Sequence, residues 1–387
     1  MKRYDIAIIG GGAAGCYLAA LLAEHKNKSV ALIEAGERLG RKLSATGNGQ
    51  GNLTNVNMCA DKYFGGRGDL VKGIVGDDHK AVLAPFYGIF SADSLGRVYP
   101  AGRQASALTD ALRRRIERGN IDVMTNAKVV RLAKGYEIGL ADGRKVNVRF
   151  VALCAGGKAQ KQFGTDGNAY ALAEKFGHKI TPLYPALVQL KTDTANIKTL
   201  RGLRADCVVT AKISGKTVKT TRGDVIFADY GVTGNAIFTV SSYVTGKDDA
   251  TLSLAFLPDV SKEEIAVDVA SKQRAGYARE ELLACTLNNQ IGRAIMKRCE
   301  SDEPRKIAKA VKNFTLNVSG TLGFDHAQVT RGGISAEDVT GELESAFAPG
   351  LFFAGEILDV DGECGGYNLH WAFSSAKRVY KALITRI

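Results

Sequence analysis

The chain has 387 residues, of which 45% are hydrophobic and 24% are charged, and 52 basic against 40 acidic side chains give a formal net charge of +12. This length allows two or three domains around a sizeable core. No apolar run approaches the roughly 18 residues that a membrane helix needs. The N-terminus runs directly into a strand without a leader cleavage site, so we expect a soluble cytoplasmic protein with no membrane partner.

Cysteine and histidine usage argues against metal and disulfide chemistry. The seven cysteines are an odd number without CxxC spacing, and the five histidines do not cluster. This pattern predicts reduced thiols and no metal site.

The first elements predict a strand, a helix and a second strand, over residues 4–9, 13–24 and 29–34. The glycines of GxGxxG lie directly between the first strand and the helix, at positions 10, 12 and 15. In such a motif the first glycine allows the tight turn, the second lets the backbone approach a pyrophosphate, and the third lets helix and sheet pack closely. Glu34 ends the second strand, where a carboxylate accepts hydrogen bonds from a ribose diol. Together these features predict a dinucleotide site.

The next segment, ATGNGQGNLTN at 45–55, indicates which dinucleotide binds. Its glycines 47, 49 and 51 permit close backbone approach to a flat ring, and asparagines 48, 52 and 55 offer both donors and acceptors. The edge of a flavin requires this mixture, which favours FAD over NAD.

Further along, the pattern predicts a loop over 93–106, a helix that ends at Gly119 and Asn120, and a three-stranded meander that returns to a parallel strand. That strand is VALCAGG at 151–157, and GLFFAGE at 350–356 is another strand that ends in glycine. We expect the three glycine-rich strand ends to meet at the carboxyl edge of one parallel sheet, where open α/β sheets bind ligands.

A second glycine-dense turn precedes the final helix, which is predicted from about Asn368 to Ile384. Glu356 is placed to hold a ribityl hydroxyl. The backbone amides of Gly366, Tyr367 and Asn368 would direct partial positive charge at the pyrimidine end of the flavin.

Beyond residue 187 the sequence pattern changes to short polar strands, followed by helices over 261–314. The first of these helices is predicted to begin with a capping box formed by Ser261 and Glu264. The predicted fold is α/β, a Rossmann-like FAD-binding domain with an inserted antiparallel β-barrel-like domain and a small helical subdomain. The predicted FAD domain is 1–187 with 325–387, the β-rich domain is 188–258 with 315–324, and the helical subdomain is 259–314.

Taken together, IIGGGAAG, GRKLSATGNGQGNLTN, FADYGVTG, VTRGGI and FFAGEILDVDGECGGYNLHWA resemble the bacterial FAD flavoproteins of the YhiN/BaiN type. That family is described variously as aminoacetone oxidase-like enzymes and as bile-acid double-bond reductases. The resemblance covers nearly the whole chain and implies that Arg41, Lys42 and Thr54 also lie along the flavin. The chain departs from the family at Gln50-Gly51, where Arg-Cys is common, at Asp229, where histidine is common, and at Asn235, where proline is common.

Motifs and resemblance together define the predicted cofactor-binding set. Its members are Gly10, Gly12, Ala13, Ala14, Gly15, Glu34, Ala35, Arg41, Lys42, Gly47, Asn48, Asn52, Thr54, Val129, Ala155, Gly156, Gly157, Gly355, Glu356, Gly366, Tyr367, Asn368 and Leu369.

The predicted activity is FAD-dependent hydride transfer between the flavin and a small organic substrate, with NAD(P)H as a transient reductant because the chain has no second GxGxxG. Asp361, Cys364 and Tyr367 are the candidate catalytic residues, and we expect a structural role for His370. One alternative is an amine oxidase that uses O2. Another is an RNA-associated flavoprotein, but the basic stretches 191–222 and 289–312 lack interleaved aromatic residues, so we do not expect a nucleic-acid partner.

Overall fold

The computed structural model describes residues 3–76 and 78–387. The chain divides into two compact units. The first contains the described residues up to Tyr184 together with Val329–Ile387, and the second is Pro185–Gln328. The chain therefore leaves its first unit, builds the second, and returns. Within the described residues, every helix is too short or too polar to cross a membrane.

The elements of the N-terminal segment alternate between strands and helices. Its strands are β1 (Arg3–Ile9), β2 (Val30–Ile33), β3 (Thr54–Asn55), β4 (Tyr63–Gly65), β5 (Phe90–Ala92), β6 (Arg97–Pro100), β7 (Ile121–Met124), β8 (Val129–Leu132), β9 (Glu137–Leu140), β10 (Lys145–Leu153) and β11 (Tyr184–Ala186). Its helices are α1 (Ala13–Leu22), α2 (Arg41–Ser44), α3 (Gly68–Val75), α4 (Ala105–Arg118) and α5 (Tyr170–Glu174).

A mixed sheet forms the centre of the first unit, in the order β7-β2-β1-β10-β9-β8. Strands β7, β2, β1 and β10 are parallel, and the meander from β8 to β10 is antiparallel, as predicted. Strand β7 was not among the predicted elements. It is a four-residue strand at the edge of the sheet, too short for its alternation to stand out from the loop around it.

The C-terminal segment completes this unit with β18 (Val329–Arg331), β19 (Leu351–Phe353), β20 (Val360–Gly362) and α10 (Tyr367–Ile384). Strand β19 pairs in parallel with β10, in register Leu153 with Phe353. The expected convergence of three strand ends is therefore confirmed, because β1, β10 and β19 are parallel neighbours. Helix α10 packs on α1, where Tyr17 and Phe373 stack with ring centroids 4.9 Å apart.

The second unit is built on a closed antiparallel barrel in the order β12-β15-β14-β13-β16-β17. Its elements are β12 (Leu190–Thr192), β13 (Arg204–Ile213), β14 (Lys216–Ala228), β15 (Gly231–Thr233), α6 (Asn235–Val244), β16 (Ala250–Phe256), α7 (Lys262–Arg274), α8 (Asn289–Arg298), α9 (Pro304–Val311) and β17 (Phe314–Thr321). Strand β17 pairs with β12 and closes the ring, so the inserted barrel is confirmed.

Barrel strands and helices of the second unit share one apolar core. Alternate residues of β13 and β16, such as Val209 and Leu254, are buried together with Ile265 of α7, Ile295 of α8 and Ile307 of α9. The Ser261 capping box that begins α7 is present as its spacing predicts. The further division of this unit into a β-rich domain and a helical subdomain stays a prediction.

Candidate functional site

The turn between β1 and α1 has the geometry of a dinucleotide-binding motif. Gly10 has a φ of +103°, and a Cβ there would lie 2.6 Å from the carbonyl oxygen of Cys154. A Cβ at Gly15 would lie 1.9 Å from the carbonyl oxygen of Gly10, so only glycine lets α1 pack on the turn. A Cβ at Gly12 would meet no atom of the described residues within 4 Å. The open space above Gly12, at the N-terminus of a ten-residue helix, is where the motif holds a pyrophosphate.

Glu34 lies beside this turn at the end of β2. Its Oε2 accepts from the backbone N–H of Gly11 at 2.7 Å, and its Oε1 accepts from that of Gly36 at 2.6 Å. Each carboxylate oxygen keeps a lone pair for a hydroxyl donor, which fits a ribose diol. Gly11 was not predicted, because the motif leaves its position unspecified. Of two further predicted residues, Ala35 is exposed and Val129 is buried in β8.

Glycines 156 and 355 follow the neighbouring strands β10 and β19 and both have positive φ angles, +72° and +82°. A Cβ at Gly355 would lie 2.8 Å from the Cβ of Ala14. Gly355 therefore lets the end of β19 approach α1 closely, and the sheet brings together predicted residues from positions 10–15, 155–157 and 355.

The loop over 45–55 contains the left-handed backbone that its glycines predict. Glycines 47, 49 and 51 have positive φ angles, as does Asn48 at 54°. A Cβ at Gly51 would lie 2.6 Å from the Cδ1 atom of Leu108, so this glycine lets the loop pack on α4. Gly47 and Asn48 are exposed, which leaves their backbone and side chain accessible to a ligand.

Asn52 joins this loop to the N-terminus of α10. With its amide oriented to satisfy both neighbours, its nitrogen donates to the carbonyl oxygen of Thr54 at 3.1 Å and its oxygen accepts from the backbone N–H of Gly366 at 3.0 Å. A Cβ at Gly366 would lie 2.3 Å from that same carbonyl oxygen. Asn52 therefore holds the glycine-dense turn against β3, and the predicted residues 52, 54 and 366 lie side by side.

The Thr54 side chain faces the protein interior, where its hydroxyl donates to Nδ1 of His370 at 2.8 Å. The His370 Nε2–H donates to the carbonyl oxygen of Val75 at 3.0 Å, which defines the neutral tautomer. Burial lowers the pKa of His370 to about 4. His370 is therefore a neutral residue that packs α10 against α3 and β3.

Lys42 and Glu356 form an ion pair, with Nζ 3.0 Å from Oε2. The other carboxylate oxygen of Glu356 accepts from the backbone N–H of Thr330 at 2.8 Å. Arg41 donates to the carbonyl oxygen of Gln162 at 2.8 Å, on the loop that follows β10. Thr330 belongs to the VTRGGI motif but was not predicted as a site residue, because no local pattern shows that it contacts Glu356.

Asp361 lies on β20 and is completely buried. Arg331 on β18 donates to both carboxylate oxygens of Asp361, from Nε to Oδ1 at 3.1 Å and from Nη2 to Oδ2 at 3.0 Å. The guanidinium of Arg331 also stacks on Phe64, 3.9 Å from the centroid of the ring. Burial raises the pKa of Asp361 to about 6, and Arg331 opposes this rise. This geometry suits a residue that holds β18 and β20 together.

Cys364 and Tyr367 lie at the glycine-dense turn itself. Burial raises the pKa of the Cys364 thiol, although Arg97 opposes the effect, and burial raises the pKa of Tyr367 to about 12. The Tyr367 hydroxyl donates to the carbonyl oxygen of Asn57 at 3.3 Å. Both side chains therefore keep their protons at neutral pH.

The side chain of Asn368 stabilises the same turn: its amide exchanges two hydrogen bonds of 2.8 Å with the backbone of Gly362. Leu369 follows it, half-buried in the first turn of α10. The N-cap is Gly366, so no side chain caps the first amides of this 18-residue helix, and they remain available to an electron-rich group.

The described residues fit FAD. The space above Gly12, the carboxylate of Glu34 and the glycine-capped N-terminus of α10 match, in that order, a pyrophosphate, a ribose diol and an electron-rich ring edge.

Comparison with known proteins identifies the family of the chain. The model of the HI0933-like protein Rossmann domain matches residues 4–381. The chain is 32% identical to 3-dehydro-bile acid delta(4,6)-reductase of Clostridium scindens, over 98% of this chain and 99% of that protein. It is 28% identical to ribosomal RNA dihydrouridine synthase of Escherichia coli, over 97% of both.

Among solved structures, 3-ketosteroid-delta4-(5alpha)-dehydrogenase from Rhodococcus jostii superposes with a TM-score of 0.55 at 15% identity, over 99% of this chain and 97% of that one, which shows a shared fold. The chain therefore belongs to the family of HI0933-like proteins with a Rossmann domain, and it is an FAD-dependent oxidoreductase.

Proposed function

We propose that the protein reduces a carbon–carbon double bond conjugated to a carbonyl group, with NAD(P)H as the electron donor. Bound FAD supplies the hydride chemistry, and the protein supplies position and polarity. The observation that carries the proposal is the glycine-capped N-terminus of α10, which has no side-chain cap and lies at the same turn as the thiol of Cys364 and the hydroxyl of Tyr367. Both groups carry a transferable proton at neutral pH, although burial raises the pKa of each and makes it a weaker acid.

A site of protonated weak acids suits reduction. After hydride delivery to a conjugated alkene, the substrate carries negative charge and must receive a proton, which a thiol or a phenol can donate. Amine oxidation requires the opposite arrangement, a base that keeps the amine deprotonated. Within this proposal Tyr367 and Cys364 are the candidate proton donors. Asp361 donates no proton to the substrate and instead holds β18 and β20 together through its pair with Arg331.

Helix α10 supports the same direction of reaction. Its first amides would lie at the ring edge that becomes electron-rich in the reduced cofactor, and the positive end of a helix stabilises negative charge. The relatives agree with this chemistry, since a delta(4,6)-reductase and a dihydrouridine synthase both reduce an alkene next to a carbonyl.

A second candidate places that alkene in a uridine of RNA. The net charge of +12 favours a polyanionic partner, and exposed Lys191, Lys198 and Lys216 contribute to it. Other basic residues in that part of the chain are neutralised by partners, for example Arg222 by Asp206 and Asp259. RNA is therefore the second candidate substrate. The first candidate substrate is a small conjugated ketone, represented in the test by a 3-oxo-4,6-diene steroid.

The test begins with an anaerobic absorbance titration of the FAD-loaded protein with NADH and NADPH. We expect bleaching of the flavin band by at least one of them, and reoxidation by the steroid dienone or by RNA that contains uridine. Dihydrouridine in the RNA, measured by mass spectrometry, distinguishes the second class from the first. Hydrogen peroxide formed from an amine and O2, with no bleaching by either nicotinamide, would overturn the proposal in favour of an amine oxidase.

A further inference from the structure

Four polar contacts join four distant chain segments in a closed ring. The backbone N–H of Thr330 donates to Glu356 Oε1 at 2.8 Å, and Glu356 Oε2 pairs with Lys42 Nζ at 3.0 Å. Lys42 Nζ donates to the carbonyl oxygen of Ala159 at 3.4 Å, and the backbone N–H of Ala159 donates back to Thr330 Oγ1 at 2.9 Å. The ring connects α2, the turn after β10, β18 and the end of β19.

Thr330 contributes to two of these contacts and is itself 1% exposed. Its Oγ1 also accepts from the backbone N–H of Lys158 at 2.7 Å, so one hydroxyl oxygen accepts hydrogen bonds from two consecutive amides of the turn after β10. A Cβ at Gly157 would lie 2.5 Å from Thr330 Oγ1 and 2.9 Å from Glu356 Oε1. The glycine at 157 therefore leaves room for this ring.

We propose that Thr330 is a positioning residue for FAD. Its hydroxyl holds the turn that follows β10, and its N–H orients the carboxylate of Glu356. Both lie at the carboxyl edge of the parallel sheet where the cofactor binds. A carboxylate held by Lys42 and Thr330 is already oriented before FAD arrives, so less freedom is lost on binding than with a mobile side chain. The inference rests on FAD as the cofactor and is independent of the substrate.

The test measures the Kd of FAD for the apoprotein by quenching of flavin fluorescence. Thr330→Val keeps the shape but removes the acceptor for two amides, and we expect FAD binding about tenfold weaker. Thr330→Ser keeps the hydroxyl and should stay within about twofold of wild type. Thr245→Val is the matched control, because the buried Thr245 hydroxyl donates to the carbonyl oxygen of Ser241 in the second unit at 2.8 Å, and its loss should leave the Kd unchanged.

Coupling separates this role from a purely structural one. If Thr330 acts through the ring, the combined effect of Thr330→Val and Glu356→Gln on the Kd should be smaller than the sum of their separate effects in free energy. Gly157→Ala disturbs the ring from its other side and provides a second variant should Thr330→Val fold poorly. A fall in Tm with an unchanged Kd in both Thr330→Val and Gly157→Ala, or full additivity with Glu356→Gln, would overturn the proposal.

Discussion

Gly12 and Gly15 belong to one motif, yet they are glycines for different physical reasons. At Gly15 an added Cβ would overlap the carbonyl oxygen of Gly10, so the constraint lies within the protein. At Gly12 an added Cβ would enter open space in the described structure, so the protein itself does not require glycine there.

This difference predicts opposite outcomes for two alanine variants. Gly12→Ala should leave the apoprotein as stable as wild type but weaken FAD binding at least tenfold, because the methyl group occupies pyrophosphate space. Gly15→Ala should destabilise the apoprotein by about 3 kcal/mol, because α1 must move away from β1. Thermal unfolding of the apoproteins and FAD titration test both, and equal Tm losses would contradict the distinction.

His370 is a residue whose protonation opposes folding. Its folded pKa of about 4 lies below the ordinary histidine pKa of 6.5, so the unfolded chain binds the proton more tightly. Its contribution to stability is complete above pH 6.5 and is lost as the pH falls toward 4, by on the order of 3 kcal/mol.

Replacing this histidine with an amide should reduce that pH dependence. His370→Gln cannot be protonated, so its apoprotein should lose less stability between pH 7 and pH 5 than wild type does, even if it starts from a lower value. Urea unfolding at the two pH values measures the difference. Parallel pH profiles for the two proteins would show that His370 does not titrate in this range.

At the scale of elements, β18 and β20 are held together by one buried ion pair. Arg331 donates to both oxygens of Asp361, which has no exposed surface. A buried pair of this kind contributes little net stability compared with neutral packing, but removing one partner leaves an uncompensated charge.

We therefore expect Arg331→Met to lower the free energy of unfolding by about 3 kcal/mol. Adding Asp361→Asn to that variant removes the buried charge and should restore a substantial part of the loss. Chemical denaturation of the two variants and wild type measures this. A double variant that is less stable than Arg331→Met would mean that Asp361 has a further partner of greater importance than Arg331.

At the scale of the whole molecule, the chain builds two separate cores from one interrupted sequence. The first is centred on the parallel sheet and the second on the barrel with α6 to α9. Each core has its own cooperative contacts, and the predicted FAD-binding residues all lie in the first unit.

Calorimetry of the apoprotein should therefore show two unfolding transitions, of which FAD raises only one. A ligand that binds one folded unit stabilises that unit according to its concentration and its Kd. Thr245→Val should lower the other transition, since Thr245 belongs to the second unit. A single transition that shifts as a whole with FAD would instead show that the two units unfold cooperatively.

The accuracy of prediction from sequence followed the range of the interactions involved. The GxGxxG turn, the capping box at Ser261 and the start of α10 depend on neighbours within a few residues, and each lies where its pattern placed it. Strand β7 was missed because it has only four residues and its own pattern is too short to indicate a strand without its partner β2. Thr330 was missed as a site residue because its partners lie at positions 42, 159 and 356, and no local spacing relates these positions.

The sequence by itself determined the dinucleotide turn, the order of the βα and barrel segments along the chain, and the family. Each of these depends on local backbone chemistry and on motifs that are contiguous in the chain. Only the tertiary structure decided which of the predicted polar side chains bond to other parts of the protein. It placed the hydroxyl of Thr54 on His370, paired Asp361 with Arg331, and closed the ring through Thr330. The physical reason is that hydrogen bonds form between atoms that packing brings together, and packing joins segments without regard to their separation in sequence.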